Sequence, residues 1–489
     1  MTDLLSFEPK NVLSFFHQIN QIPRESGNEK EISDFLVAFA KERGLFVYQD
    51  TSLNVLIRKP ATPGFENKKG IILQGHMDMV CEKNQDTQHD FSKDPIDMYV
   101  DGDKIRARGT TLGADNGIAV AMGLAILDSQ EVAHPSLELL ITTDEEVGMT
   151  GAIHFDVSLL QGKYFLNLDS EEEGEFVVSC AGGLKSFINL PLVKEEIPMK
   201  DMLLKEISIR KLVGGHSGVE IDKGRANALK LAGRVLSTLD EKINFHLVDL
   251  FGGRKDNVIC REAFLTIVIK NEDEDLFDAT MDLVSAEIKN EYRSSDPDIE
   301  IISETMQNEE ELPSFIEVIL DDTLEKIIFI LMCTPNGIQT MSAELAGFVE
   351  SSLNIGKVAV EEEHMVFLYA IRSSVRSLKY HITHQLELFA KMCKAEFIQT
   401  AQYPEWPLVK DSHLVDVAKK VYLEISGKEA IIKSLHAGVE PGVFLEKRQD
   451  IEAISLGPDM QGVHSPDEWV SISSIQRTYS YLLKLIANL

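Results

Sequence analysis

The stretch Ile71-Ile72-Leu73-Gln74-Gly75-His76-Met77-Asp78-Met79-Val80 organises the rest of this 489-residue chain. An apolar run of the kind that forms a buried strand ends at a glycine and then delivers His76 and Asp78 two residues apart. In an extended chain the period of two aims both side chains at one side of the sheet. A histidine beside a carboxylate at a strand end is a common beginning of a metal site, because the acid fixes the ring and leaves its other nitrogen for an ion. A His-x-Asp pair on its own is a weak signal, so its partners have to be found elsewhere in the chain.

Working outward, residues 11–21 and 30–43 carry apolar side chains at helical spacing, and residues 45–49 and 54–58 read as strands. Downstream, Arg108-Gly109-Thr110-Thr111-Leu112-Gly113-Ala114-Asp115-Asn116-Gly117 is a glycine-rich loop running into an apolar helix over 118–127. Asp115 stands where an acid either caps helix amides or faces an ion. A strand over 137–143 is followed by Asp144-Glu145-Glu146, and a strand over 164–168 ends in Asp169. Helices alternating with apolar strands predict an α/β fold, a mixed sheet with helices on both faces, whose ligands gather at the carboxyl ends of strands.

From about residue 188 the pattern changes. Polar alternations over 206–211, 264–270 and 358–368 are separated by helical patterns over 227–239, 276–291 and 312–324, which predicts an α+β domain with antiparallel sheets. The charged segments 271–278 and 307–311 read as solvated loops. After residue 397 the first pattern returns, with a helix over 412–426, strands over 430–434 and 451–456, His464 in a Gly/Pro-bounded loop, and a closing helix over 473–489. The expectation is therefore a discontinuous catalytic domain, 1–187 and 398–489, with 188–397 inserted into it.

A chain of 489 residues is too long for a single core. Its formal net charge of -31 opposes nucleic acid or an anionic membrane as a partner and suits a protein that collects cations. No stretch reaches the roughly 18 apolar residues of a membrane span. The first residues lack a basic region followed by an apolar one, so no secretory signal is expected. Cys81, Cys180, Cys260, Cys333 and Cys393 are scattered with no Cys-x-x-Cys pair, which fits a reducing cytoplasm and inert thiols.

Five candidate metal ligands lie on different elements: His76, Asp115, Glu146, Asp169 and His464. Imidazole and carboxylate donors without thiolates suit zinc, cobalt or manganese. Five are too many for one tetrahedral zinc with an open position, but they suffice for two ions about 3.5–4 Å apart that share one carboxylate. Such a pair polarises a carbonyl and acidifies a water. A base must still take that water's proton, and Glu145, the spare acid beside Glu146, is the natural choice. His381 and His384, at helical spacing with no third ligand, read as a solvated helix face.

The segments Gly75-His76-Met77-Asp78, Gly113-Ala114-Asp115-Asn116-Gly117, Thr143-Asp144-Glu145-Glu146-Val147-Gly148, Leu168-Asp169-Ser170 and Gly462-Val463-His464-Ser465-Pro466 resemble, in order, the motifs of the M20 metallopeptidase family. Within that family the likeness is to its aminoacyl-histidine dipeptidase branch, and it runs along nearly the whole chain. The resemblance implies a zinc-exopeptidase-like catalytic domain and an inserted lid. It implies that His76 and Asp169 hold one ion, Glu146 and His464 the other, and that Asp115 bridges them before a cis Asp115-Asn116 bond. Asp78 would steady His76, and Glu145 would be the acid/base. It further implies hydrolysis of dipeptides, Xaa-His among them, two divalent ions with zinc foremost and cobalt or manganese as substitutes, and a homodimer. In Val213-Gly214-Gly215-His216-Ser217-Gly218, His216 would approach the scissile carbonyl. Asn257 and Arg372 would hold the substrate's carboxylate, and Glu440, in His436-Ala437-Gly438-Val439-Glu440, would take its amino terminus. A hydrolase of N-acyl amino acids or tripeptides would use the same metal chemistry. A non-catalytic metal-binding protein would have no use for Glu145.

Overall fold

The computed structural model describes residues 4–306 and 313–489. Two compact units appear: Met1–Cys180 with Leu408–Ser434 and Val439–Leu489, and Ala181–Pro407 with Leu435–Gly438. The inserted unit is thus wider than 188–397, for a simple reason. The strands Gly182–Pro191 and Glu396–Tyr403 pair with one another, so neither can be cut by a boundary.

In the first unit an eight-stranded mixed sheet runs in the order Phe46–Gln49, Val55–Lys59, Leu137–Thr142, Ile71–His76, Tyr164–Asn167, Glu452–Ser455, Glu175–Cys180, Ile431–Leu435. The strands from Leu137–Thr142 to Glu452–Ser455 are mutually parallel. Every residue of Ile71–His76 and of Leu137–Thr142 is buried, which is why both read as unbroken apolar runs rather than alternations. Ile71, Leu73, Leu139 and Leu166 pack into the core built by the helices Lys10–Ile19, Lys30–Glu42, Ala114–Asp128 and Ile472–Asn488. On the opposite face Phe165 meets Phe444 of the helix Glu440–Lys447, ring centroids 5.2 Å apart.

The helix Ala114–Asp128 is buried almost all round, so its first amides have no access to water. The acid that satisfies them is not Asp115. Glu468, itself 2% exposed, accepts from Leu112 and Gly113 through Oε2, at 2.7 and 2.9 Å, and from Ala114 and Asp115 through Oε1, at 2.8 and 3.3 Å. This frees Asp115 to face elsewhere.

The second unit is built on an antiparallel sheet in the order Glu300–Thr305, Met202–Arg210, Ala263–Lys270, Phe245–Gly253, Val349–Glu361, His364–Ser373, Gly182–Pro191, Glu396–Tyr403, with Gly337–Met341 beside Val349–Glu361. The helices Ala228–Asp240, Glu274–Glu291, Asp321–Cys333 and Arg376–Met392 enclose its core. The helix expected over 312–324 is replaced by a strand, Phe315–Ile319, and a later helix, Asp321–Cys333. Phe-Ile-Glu-Val-Ile is rich in β-formers and pairs along its length with Lys194–Pro198, while Asp321 and Asp322 favour a helix N-terminus. The acidic segment 307–311 and Leu312 lie outside the described residues, as do the first three residues of the chain. Among the described residues no helix is long and apolar enough to cross a membrane.

Replacing Glu468 by Ala strands four buried amides at once and leaves the buried Arg24, whose charge Glu468 helps to balance, with less compensation. We expect it to lower the stability of the first unit by on the order of 3–5 kcal/mol, read by denaturant unfolding.

Candidate active site

Three adjacent parallel strands end at one edge of the sheet, and each carries a site residue there. His76 is the last residue of Ile71–His76. The short helix Glu145–Gly148 follows Leu137–Thr142 after Asp144, which turns the chain at φ 60°. Asp169 comes two residues after Tyr164–Asn167. Asp115 joins them from the start of its helix, ahead of a cis Asp115-Asn116 bond, and His464 from the loop between Met460–Gln461 and Trp469–Ser471.

The five side chains expected to be ligands meet. His76 Nε2 lies 3.1 Å from Asp115 Oδ1 and 3.4 Å from Asp169 Oδ1. His464 Nε2 lies 3.2 Å from Asp115 Oδ2 and 2.9 Å from Glu146 Oε2. Asp115 therefore offers one oxygen to each histidine, and the remaining carboxylates pair off, one to a side. Ligand atoms of His76, Asp115 and Glu146 fall within 4.8 Å of one another. Glu146 Oε1 is buried without a protein partner, as expected of an oxygen reserved for a cation. Donor types and placement both fit a pair of divalent cations sharing Asp115.

Burial and neighbouring charge compete in this cluster. Burial alone would lower the His76 pKa, but Asp169, Asp115 and Asp78 together hold it well above the ordinary imidazole value. Asp115 and Glu146 push His464 up to about 11. Burial opposes the charged form of Asp115, yet the two histidines outweigh it and keep that carboxyl well below its usual range. For Glu145 burial leads, Asp169, Glu440 and Glu146 add to it, and the carboxyl is raised well above normal. Among the described residues no ion pair engages Glu145, which directly precedes Glu146 in the short helix.

Asp78 is fully buried and faces His76 from the side away from Asp115. Its Oδ1 lies 3.3 Å from His76 Nδ1, and its backbone carbonyl 3.1 Å from the same atom. Its carboxylate also accepts from the amides of Glu145 and Glu146, both at 3.2 Å, and from Ser26 Oγ at 2.8 Å. One side chain thus holds the ring of one candidate ligand and the backbone of another.

Several supporting residues escaped the sequence reading. Asn116 accepts from His76 N at 3.2 Å and donates to the Leu168 carbonyl at 2.9 Å, tying two strand ends together. It passes so close to Gly75 that any side chain there would strike its Oδ1. The buried Arg24 donates to the carbonyls of Met77 and Gly113, at 3.2 and 2.6 Å. Burial, together with Asp115 and Asp169, pushes Glu171 up to about 7. Only Asn116 had a local cue, its place directly after Asp115. Glu440 is fully buried: its Oε2 accepts from Thr142 Oγ1 at 2.8 Å and from Gln74, and its Oε1 is without a partner among the described residues.

A model of peptidase family M20/M25/M40 matches residues 72–488. The chain belongs to that family. It is a metal-dependent peptide hydrolase. It is 37% identical over 489 residues to the cytosol non-specific dipeptidase of Escherichia coli K12, covering 100% of this chain and 99% of that protein. An aminoacylhistidine dipeptidase from Vibrio alginolyticus, known by crystal structure, is 37% identical, with a TM-score of 0.92 over 99% of this chain and 98% of its own. A tripeptidase from Staphylococcus aureus, at 16% identity and a TM-score of 0.55 over 98% of both chains, shares the fold.

The inserted unit of this M20 enzyme carries the other three expected residues. His216 Nδ1 accepts from the amides of Gly218 and Val219, at 3.1 and 3.2 Å. The ring is neutral in preference, because burial, helped by Arg372, lowers its pKa, and its proton then sits on Nε2. The loop around it is pinned at both ends by Asp296, a fully buried residue absent from the sequence reading, which accepts from Val213 N at 2.9 Å and Ala226 N at 2.8 Å. Asn257 contributes its backbone carbonyl, which accepts from Ser217 N at 2.9 Å. Arg372, 8% exposed, donates through Nη1 to the Tyr403 hydroxyl at 2.6 Å, and its Nε is buried without a partner.

Removing the Asp78 side chain releases the His76 ring and the Glu145-Glu146 backbone together while leaving all five ligands in place. Asp78→Ala should therefore lower kcat/KM by about 10–100-fold. The metal bound at saturating supply, measured by elemental analysis, should fall by less. An equal loss of both would make Asp78 a ligand.

Proposed function

We propose that this M20 hydrolase is a cytoplasmic dipeptidase, acting on Xaa-His and other dipeptides with two divalent ions, zinc foremost and cobalt or manganese as substitutes. The observation that carries the reading is the division of Asp115 between His76 and His464, one carboxylate oxygen to each. The full-length likeness to a protein named cytosol non-specific dipeptidase supports the substrate class and the compartment.

In this reading His76 and Asp169 hold one ion, Glu146 and His464 the second, and Asp115 both. When bound, the ions supply Lewis acidity to polarise the scissile carbonyl and to acidify a water. Glu145 takes the proton of the attacking water and returns it to the departing amine, a task suited to a carboxyl that burial and neighbouring carboxylates hold above the usual carboxylate range. His216 donates from Nε2 to the carbonyl oxygen as negative charge develops there, and two backbone amides hold its tautomer for that purpose. Arg372 takes the free carboxylate of the dipeptide by two parallel hydrogen bonds, and Asn257 lies on the same unit as a further contact. The family likeness also supports a homodimer, for which light scattering should give twice the 54.7 kDa chain mass, whereas a monomer mass would remove it.

Glu145→Gln keeps the shape of the side chain and removes the base. We expect kcat on a dipeptide panel to fall about 10²–10⁴-fold with metal content unchanged. Retention of most activity would displace Glu145 from its role. Faster turnover by the parent enzyme of tripeptides or N-acetyl amino acids than of any dipeptide would overturn the substrate assignment.

A further inference from the structure

Arg372, Gly183 and Tyr403 occupy one line across three adjacent strands of the inserted unit. Gly183 is the register partner of Arg372 on one side and of Tyr403 on the other. Directly opposed residues share a face of the sheet. The two outer side chains thus stand two strand spacings apart, roughly 9–10 Å, with nothing between them but a glycine. Across that gap the guanidinium and the phenol meet, Arg372 Nη1 donating to Tyr403 Oη at 2.6 Å.

The gap is required for the contact. A Cβ on Gly183 would lie 2.5 Å from Tyr403 Cζ, so no side chain fits there while the ring stays in place. Tyr403 is itself anchored. Its backbone carbonyl accepts from Lys379 Nζ at 3.1 Å, and Lys379, fully buried, is bound to Glu405 at 2.6 Å. The ring therefore offers a fixed acceptor to one corner of the guanidinium.

With Nη1 engaged, the edge formed by Nε and Nη2 is the one left to present. Nε is buried and without a partner among the described residues, which marks it as a donor awaiting an acceptor. A carboxylate fork matches that edge, two oxygens to two parallel N–H groups. Arginine has several rotatable bonds, and holding its fork in one orientation beforehand removes part of the cost of recognition.

We propose that Tyr403 is a positioning residue for substrate recognition: its hydroxyl, reached through the window that Gly183 leaves, orients Arg372 so that the Nε edge selects peptides with a free terminal carboxylate. The proposal rests on Arg372 taking that carboxylate. Tyr403 touches no reacting atom, so its contribution belongs to KM and to discrimination rather than to kcat.

The test compares a dipeptide with its C-terminal amide on the metal-loaded enzyme. In Tyr403→Phe we expect the preference for the acid over the amide, as a ratio of kcat/KM, to narrow about tenfold. The change should appear in KM for the dipeptide, with its kcat within about twofold. Gly183→Ala, which displaces the ring without removing the hydroxyl, should narrow the preference in the same way. Arg372→Ala should narrow it further, about 100-fold. If Arg372→Ala discriminates poorly and Tyr403→Phe keeps the full preference, Tyr403 plays no positioning part. Loss of activity toward both substrates alike in Tyr403→Phe would reveal a merely structural side chain and overturn the proposal. If Arg372→Ala itself keeps the preference, the carboxylate reading falls and the proposal falls with it.

Discussion

The carboxylate of Asp78 is the constraint on which the catalytic unit depends. It is buried, it touches the ring of His76, and it accepts the backbone amides of Glu145 and Glu146. An ion site tolerates little error in the placement of its donors, and this one draws them from separate strands and loops. A single charged group bonded to both the ring and the turn converts two independent placements into one. Burial strengthens each of these bonds, since no water competes for the oxygens.

The same device recurs at two further loops that carry candidate functional groups. Glu468 collects the four amides that open the Asp115 helix, and Asp296 collects the two that bound the His216 loop. In all three cases a buried carboxylate from elsewhere in the chain binds backbone amides rather than a lysine or arginine, so its charge orders main chain. This lets short glycine-rich segments, which have little propensity of their own, keep one conformation.

Concentrating carboxylates beside the histidines is costly without cations. Asp115, Glu146 and Asp169 surround two imidazoles, and Glu145, Glu171 and Glu440 stand close behind with pKa values raised by burial and by their neighbours. The imidazolium charges of His76 and His464 compensate part of that repulsion, and divalent cations would replace them more effectively. A net charge of -31 over the chain works in the same direction, raising the local concentration of cations. The second unit behaves differently: burial and Arg372 lower the pKa of His216 and so favour its neutral ring.

Much of the site was legible before any coordinates, because its elements carry strong periodic signals. Fully apolar runs marked the central parallel strands, and His76, Glu145, Glu146 and Asp169 follow directly at their ends, where an α/β sheet binds ligands. Legibility failed where local pattern was ambiguous or where the partner lay far away. Phe315–Ile319 has an apolar spacing that fits either structure, and pairing with Lys194–Pro198 decided it. Unit boundaries depended on which strands pair. The sequence by itself determined the central strands, most of the helices and the chemical kind of the site, through spacing and residue type. Tertiary structure alone decided that Glu468 and Asp296 hold the loops, that Asp115 is free to face both histidines, and that Arg372 meets Tyr403 across a glycine. These are contacts between residues tens to hundreds of positions apart, for which no local pattern exists.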